Sequence, residues 1–146
     1  MTHDIRPIAP DDAEAWRPLW RAYLEFYETE VDEAVYARTF ARLTDPADAG
    51  LGGFLAVGAA GPVGLVHYIF HPHCWQIEEV CYLQDLYLAP GARGSGAAEA
   101  LMRAVYAEAD RRGCPNVYWM TQHFNARARR LYDRVGTLTP FLKYRR

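Results

Sequence analysis

The sequence predicts a single α/β (α+β) domain over residues 1–146, with a central, mostly antiparallel mixed sheet flanked by helices. Residues 82–103 run from an apolar, β-rich segment through a glycine-rich turn directly into an alanine-rich helix. Ahead of them, two amphipathic helical patterns precede two β-rich runs joined by a short turn. With 146 residues, 51% of them hydrophobic, the chain can bury one two-layer core.

The chain opens with a predicted strand and a predicted amphipathic helix. Residues 5–8 are mainly apolar and form the strand, after which Asp11 or Asp12 is a suitable helix N-cap. Aromatic residues then recur at three- and four-residue steps as far as Tyr27, which is typical of a helix with one apolar face. Pro18 lies within this pattern, so we expect the helix to restart or kink there. The aromatic face either fills the core or forms a wall of a substrate cleft.

A second helix is predicted over residues 32–43, followed by three antiparallel strands. Residues 54–59 and 63–70 are β-rich and separated by a Gly-Pro turn, which indicates a hairpin. Residues 74–77 are expected to open the third strand, which continues through two glutamates into the central stretch. The predicted order of this half is therefore strand, two helices, and three strands.

The second half alternates helices and strands. A helix is predicted over residues 96–112 and ends at Gly113, which suits the left-handed position after a helix. A strand over residues 117–121 and a helix over residues 125–135 follow, and residues 138–144 form a last predicted strand. A lone terminal strand would leave one edge bare, and we expect a second subunit to cover it in a homodimer.

The glycine-rich turn predicts an anion site. Gly94 and Gly96 lack the Cβ atoms that would hinder close approach, and the first turn of the following helix has free N–H groups at the positive end of the helix dipole. Neither the dinucleotide-binding spacing nor the P-loop spacing of glycines is present. A diphosphate is the anion that this turn suits.

Three motifs together resemble the GNAT N-acetyltransferase superfamily. The turn fits the pattern [RQ]-x-x-G-x-[GA], the preceding strand ends DLYLAP, and Asn125 stands seven residues before Tyr132. The predicted element order is similar to the GNAT core over nearly the whole chain. The opening residues, with the motifs VYW and LYDRVG, are most similar to the histone and polyamine acetyltransferase-like subfamily.

The resemblance implies acetyl-CoA as co-substrate and assigns its contacts. Backbone groups of the central strand would bind the pantetheine arm, and the glycine turn would bind the pyrophosphate. Tyr132 would protonate the departing thiolate. The implied cofactor residues are Leu86, Tyr87, Leu88, Arg93, Gly94, Ser95, Gly96, Ala97, Ala98, Asn125, Arg127, Ala128 and Tyr132.

The general base is the least determined group. A primary amine with a pKa of about 10.4 is less than roughly one part in a thousand neutral at pH 7, so a group must accept its proton. Relatives often carry a glutamate where this chain has Gln84. Glu79, Asp85 or a water chain ending on His67 could serve instead, and the catalytic candidates are Tyr132, Asp85 and Glu79.

The acceptor contacts follow from charge and aromatic patterning. Residues 1–89 have 14 Asp/Glu against 5 Lys/Arg, whereas residues 90–146 have 4 against 11. Such fields could steer a polyanionic cofactor to the basic half and a cationic amine to the acidic half, unless they are simply two solvated surfaces. The substrate-binding candidates are Trp20, Tyr23, Tyr27, Glu28, His67 and Gln84.

The implied activity is direct acetyl transfer in a ternary complex to a primary amine. The acceptor is expected to be a small cationic, polyamine-like molecule or a protein lysine or N-terminus. Two rivals stay open: a non-catalytic acyl-CoA-binding sensor, and an interaction protein whose aromatic first helix is a dimer face.

Composition argues against other classes. The pI of about 6.2 and the mixed charge disfavour nucleic acid. No apolar stretch reaches a membrane span and the N-terminus lacks a signal-peptide pattern, so a cytoplasmic protein is expected. Three cysteines without C-x-x-C spacing indicate packing rather than disulfides or zinc, and no metal is expected at His67, His71 and His73.

Overall fold

The computed structural model describes residues 3–146 and contains a five-stranded mixed sheet. The strands lie in sequence order, β1–β4 antiparallel to their neighbours and β5 parallel to β4. They are β1 (Asp4–Pro7), β2 (Leu51–Gly58), β3 (Gly61–His71), β4 (Val80–Leu88) and β5 (Val117–Tyr118). The helices are α1 (Ala13–Phe26), α2 (Glu33–Leu43), α3 (Ala97–Arg111) and α4 (Ala126–Val135). The predicted fold class is confirmed.

The helices cover both faces of the sheet. On one face α1 and α2 pack over Leu55 and Leu65, both fully buried. On the other face α3 and α4 pack over Val66 and Leu83. The central strand β3 is buried on both faces because helices lie above and below it. The sheet therefore separates two apolar clusters.

A β-bulge in β4 changes which side chains face which cluster. His67 of β3 pairs with Asp85, and the next residue, Tyr68, pairs with Leu83, so Gln84 has no partner in β3. An extra residue of this kind shifts the alternation of the strand by one position. Consequently Leu83 faces α3, whereas Asp85 faces α1.

The sheet opens beyond the start of β4. Strand β5 has only two residues and pairs with Cys81 and Tyr82. From residue 83 onward, β4 has no partner strand on that side within residues 3–146. The chain after β5 diverges from β4, and a cleft forms between them.

Several predicted boundaries were wrong. Residues 74–79 are a turn and bend region rather than the start of a strand, and β4 begins at Val80. The strand predicted over residues 117–121 ends at Tyr118, because the chain leaves the sheet there. Strand β2 begins at Leu51, ahead of the predicted residue 54, where its glycines pair with β3.

The predicted last strand over residues 138–144 is also absent. This segment has no strand pairing and is exposed, since no sheet edge within the described chain lies against it. Helix α1 is a single helix through Pro18, with Asp12 as its N-cap residue. The aromatic residues Trp16 and Trp20 of α1 are buried in the core, so they are not a dimer face.

Candidate active site

The cleft between β4 and the chain after β5 is the candidate active site. It is open to solvent. Side chains from α1, β4, the chain after β5 and α4 form its walls, and these are Tyr23, Tyr27, Leu83, Gln84, Leu86, Trp119, Met120 and Tyr132. Elements from both faces of the sheet thus meet at one unpaired strand edge.

The open edge of β4 can bind an extended molecule. A strand without a neighbour presents unpaired backbone N–H and C=O groups. An amide-bearing chain can hydrogen-bond to such an edge as an added strand does. The predicted pantetheine contacts Leu86, Tyr87 and Leu88 lie on this part of β4.

The glycine loop leads from the end of β4 to α3. Gly94 and Gly96 have φ of +79° and +86°, a conformation that other residues adopt only with strain. A Cβ atom on either would meet no atom within 4 Å, so the space beside the loop is open. The first-turn N–H groups of α3 lack intrahelical partners, and the Arg93 side chain is exposed beside them. These residues fit a pyrophosphate group.

Helix α4 is rich in basic residues and contacts the first turn of α3 through the Arg134–Glu99 ion pair at 3.2 Å. Asn125 is its N-cap, and its side-chain amide donates to Thr121 Oγ1 at 3.4 Å. Arg127 is exposed and Ala128 is half-buried in the first turn of α4. The cation-rich half predicted from the sequence therefore includes the loop and helices that would meet the phosphates.

Tyr132 is a half-buried tyrosine of α4. It lines the cleft, and the Trp119 ring packs against it edge-to-face with 5.6 Å between ring centroids. Burial, and to a lesser extent the nearby Tyr27, raises the pKa of Tyr132 to about 12. Tyr132 therefore keeps its proton at neutral pH and can donate a hydrogen bond into the cleft.

Behind the cleft wall lies a buried polar network. Trp16 Nε1 donates to His67 Nε2 at 2.9 Å, and His67 Nδ1 lies 2.8 Å from Asp85 Oδ2. Trp20 Nε1 donates to the same Asp85 oxygen at 3.2 Å. All four residues are buried. The bulge in β4 makes this network possible, because it turns Asp85 toward α1.

The structure brings some predicted acceptor residues together and separates others. Tyr23, Tyr27 and Gln84 line the cleft with Tyr132. Trp20 and His67 do not line it, because their polar atoms are used in the buried network. The wall of the cleft lies in front of both residues.

Two predicted carboxylates lie apart from the cleft lining. Glu28 is exposed just after α1, in the left-handed conformation with φ of 54°. Glu79 is exposed just before β4, five residues from Gln84, or roughly 16 Å along an extended strand. Of the candidate bases, Asp85 is the one that is flanked by residues of the cleft lining, Gln84 and Leu86 of β4.

Sequence reasoning missed Trp119, Met120 and the network partner Trp16. Trp119 and Met120 follow the last paired residue of β5, and a strand predicted to residue 121 would keep them in the sheet. Trp16 was predicted only as part of an aromatic helix face. Its spacing from Trp20 and Tyr23 places all three on one side of α1, and this spacing is the sequence signal that could have identified Trp16 as a neighbour of the site.

Residues 3–146 contain no cluster of three or more His, Cys, Asp or Glu side chains arranged to hold a metal ion. His71 instead lies 2.8 Å from the hydroxyl of Tyr118 and 2.8 Å from the carbonyl oxygen of Pro72. His73 Nδ1 accepts from the backbone N–H of Trp75 at 3.1 Å.

An open strand edge, a glycine loop at a helix N-terminus and a buried tyrosine donor define an acyl-CoA-dependent transferase site. The comparisons with known proteins agree with this class. The model of the acetyltransferase (GNAT) family matches residues 14–137. The chain belongs to the GNAT family and is an N-acetyltransferase.

Individual relatives include both curated proteins and solved structures. The chain is 40% identical to the D-amino-acid N-acetyltransferase HPA3 of Saccharomyces cerevisiae, over 97% of this chain and 89% of that protein. It is 29% identical to the uncharacterized N-acetyltransferase YhfO of Bacillus subtilis, over 91% and 88%. The fold is similar to AAC(6')-Iy in complex with a CoA bisubstrate analogue, with a TM-score of 0.84, 18% identity and coverage of 100% and 99%.

Proposed function

We propose that this N-acetyltransferase uses acetyl-CoA to acetylate the primary amine of a small molecule by direct attack in a ternary complex. The observation that carries the proposal is the cleft at the open edge of β4, which Tyr132 lines and from which the chain continues through the end of β4 into the glycine loop. When bound, acetyl-CoA supplies an activated acetyl thioester. The residues of this chain then have to hold it, orient the amine and move two protons.

The proposed cofactor contacts are those that the family resemblance implies. The β4 edge around Leu86 would bind the amide-bearing arm, and the first turn of α3 would bind the pyrophosphate. Exposed Arg93 and Arg127 add positive charge near the phosphates. Tyr132, protonated at neutral pH, would donate to the sulfur as it leaves.

The second part of the proposal concerns the chemical class of the acceptor amine. The curated relative that is 40% identical is a D-amino-acid N-acetyltransferase, which supports a free amino acid as one class to test. Polyamine-like cations and protein lysines or N-termini are the other classes predicted from the sequence. Exposed Glu25 and Glu28, near the end of α1, favour a cationic amine.

A panel of amines separates these classes. The measurement is release of free CoA at fixed acetyl-CoA with D- and L-amino acids, spermidine and a lysine-containing peptide, each at equal concentration. We expect one small-molecule class to exceed the peptide by at least about tenfold in kcat/KM. A preference for the peptide would overturn the small-molecule acceptor, and binding of acetyl-CoA without release of CoA on any amine would favour a non-catalytic sensor.

We also propose that the chain forms a homodimer through residues 137–146. Four large apolar side chains of this segment, Leu138, Phe141, Leu142 and Tyr144, are between 73% and 89% exposed. Exposed apolar clusters of this kind mark interaction sites, and the outer edge of β5 offers unpaired backbone groups.

Multi-angle light scattering at micromolar concentration tests the dimer. We expect a mass of about twice 16.6 kDa, and a chain that ends at Thr137 should be monomeric or insoluble. A monomer mass for the full chain would exclude the proposed dimer.

No helix in the described part of the chain is long and apolar enough to cross a membrane. A cytoplasmic location stays a prediction.

A further inference from the structure

The donors and acceptors of the network behind the cleft determine which nitrogen of His67 is protonated. An indole N–H can only donate, so His67 Nε2 must accept from Trp16. The single proton of a neutral imidazole is then on Nδ1 and is donated to Asp85 Oδ2. His67 is therefore held as the neutral Nδ1–H tautomer, with the lone pair of Nε2 engaged as the acceptor for Trp16.

The same argument determines the state of Asp85. Its Oδ2 accepts two N–H donors, one from His67 and one from Trp20, which suits a carboxylate. Apart from His67, no basic side chain within residues 3–146 lies within salt-bridge distance of Asp85. A buried carboxylate stabilised only by neutral donors favours the arrival of a positive charge. The oxygen without an N–H donor from the network, Oδ1, is free to receive it.

Tyr23 connects this carboxylate to the cleft. It lies one turn beyond Trp20, which donates to Asp85, on the same side of α1, and it lines the cleft. Burial, together with the Asp85 carboxylate, raises the pKa of Tyr23 well above its usual range. The Tyr23 hydroxyl is thus protonated, and α1 carries it at the cleft one turn beyond the indole that contacts Asp85. The other ionisable groups near Asp85 are Tyr27 of α1, Tyr82 of β4 and His67 of β3.

We propose that Tyr23 relays the proton of the acceptor ammonium to Asp85, and that Trp16 and His67 are positioning residues that keep Asp85 ionised and aimed at Tyr23. The inference rests on the proposed acetyl transfer to an amine. An N–H bond of the ammonium breaks as the Tyr23 oxygen takes its proton, and the Tyr23 O–H bond breaks as Asp85 Oδ1 takes the second proton. The amine is then neutral, Tyr23 is unchanged and Asp85 is a carboxylic acid, which returns its proton to solvent after the product leaves.

The first test is the tautomer of His67, read by ¹⁵N NMR of the imidazole and assigned with His67→Gln. We expect wild-type His67 to show Nδ1 protonated and Nε2 unprotonated. Trp16→Phe removes the donor to Nε2, and the Nδ1–H tautomer should then no longer be the single form in the spectrum. A wild-type imidazolium or Nε2–H tautomer at pH 7 would overturn the network. If Trp16→Phe does not fold, the wild-type spectrum decides alone.

The second test varies the pKa of the amine. Tyr23→Phe should lower kcat/KM by about 100-fold or more for an alkylamine of high pKa. It should lower kcat/KM by less than about threefold for a fluorinated analogue that is largely neutral at the assay pH, because that amine needs no base. A structural defect would lower both equally. Equal losses for the two amines, or no loss for either, would overturn the relay.

The matched control is Tyr27→Phe, a second tyrosine of α1 that lines the same cleft. It should change kcat/KM for both amines by the same factor, because Tyr27 is not in the proposed proton route. Asp85→Asn should reproduce the dependence on amine pKa that Tyr23→Phe shows. Absence of CoA release by the wild-type enzyme on every amine would contradict the proposed function, while the His67 spectrum would still test the network.

Discussion

The two halves of β4 differ in how their backbone is paired, and this difference separates stability from function. In the first half, Cys81 and Tyr82 are hydrogen-bonded to β3 on one side and β5 on the other. In the second half, residues 85–88 follow the bulge at Gln84 and have β3 alone as a partner strand. The first half contributes Cys81 and Leu83 to the core, and the second half contributes Gln84 and Leu86 to the cleft and Asp85 to the network.

The contrast shows that a functional site can arise from incomplete pairing of a regular strand. A paired strand has no free backbone donors, whereas an open edge has a row of them. The bulge adds a second effect, because it turns a carboxylate toward α1 that regular alternation would turn toward α3. Variants on either side of this boundary should therefore affect different properties.

The largest effect is expected at the glycine loop that the second half of β4 leads into. Gly96→Glu places an anionic side chain beside the first turn of α3, and we expect affinity for acetyl-CoA to fall by at least about 100-fold. Isothermal titration calorimetry measures the affinity, and a thermal melt checks the fold.

Gly113→Glu is the matched control. Gly113 has φ of +71°, and a Cβ on it also meets no atom within 4 Å, but it lies at the far end of α3. Both substitutions should cost about 1–2 kcal/mol in backbone strain, so their melting temperatures should be alike. Equal cofactor affinities of the two variants would remove the phosphate role from the loop.

A smaller effect is expected at Tyr132. Tyr132→Phe removes the hydroxyl that would donate to the leaving sulfur, and turnover should fall by about 10- to 1,000-fold with little change in cofactor affinity. Steady-state kinetics and a binding titration separate these two quantities.

Tyr106→Phe serves as the control for Tyr132. The Tyr106 hydroxyl donates to the Val135 carbonyl oxygen at 2.7 Å, and its loss should cost about 1 kcal/mol of stability without lowering turnover. If Tyr132→Phe turns over as fast as wild type, either the proton donor is elsewhere or product release limits the rate.

A several-fold effect is expected at Gly136, which contacts the far wall of the cleft. A Cβ there would lie 2.5 Å from Trp119 Cη2, so Gly136→Ala should displace the indole ring and cost about 1–3 kcal/mol. We expect KM to rise several-fold. The double variant with Trp119→Phe should recover the stability, and a double-mutant cycle measures the coupling. Additive losses would contradict the contact.

The smallest functional effect is expected in the paired half of β4. Cys81→Ala should cost about 1 kcal/mol of stability and leave activity unchanged, because Cys81 packs in the core. Burial raises the pKa of the Cys81 thiol to about 12, so it should not react with an alkylating reagent in the folded protein. Exposed Cys74 should react, and mass spectrometry of the folded protein would count the labels. Labelling of Cys81 as fast as Cys74 would contradict this burial.

Local sequence signals predicted most of the fold. The positions of α1 to α4 followed from their apolar periodicity, and the glycine turn before α3 followed from residues that occupy left-handed backbone. The signals failed where strand pairing decides the structure. Residues 138–144 have an apolar, strand-like composition, yet a strand forms only where a partner edge is present.

The candidate site was predicted only in part, because contacts between distant segments decide which side chains meet there. Tyr23, Tyr27, Gln84, Leu86 and Tyr132 were candidates, and the structure brings them to one cleft. His67 and Trp20 were expected to contact the acceptor, but they belong to the network behind it. The sequence alone does not show which ring nitrogen of a histidine has a partner, because the partner is 51 residues away.

By itself the sequence determined the family, the element types and the anion-binding turn, because these depend on periodicity, on glycine at left-handed positions and on short motifs. Only the tertiary structure decided the bulge at Gln84, the open edge of β4 and the orientation of Asp85 toward α1. Register between distant strands sets all three features, and a shift of one residue moves a side chain to the opposite face of the sheet. The same one-residue shift places Asp85 against His67 and Trp20.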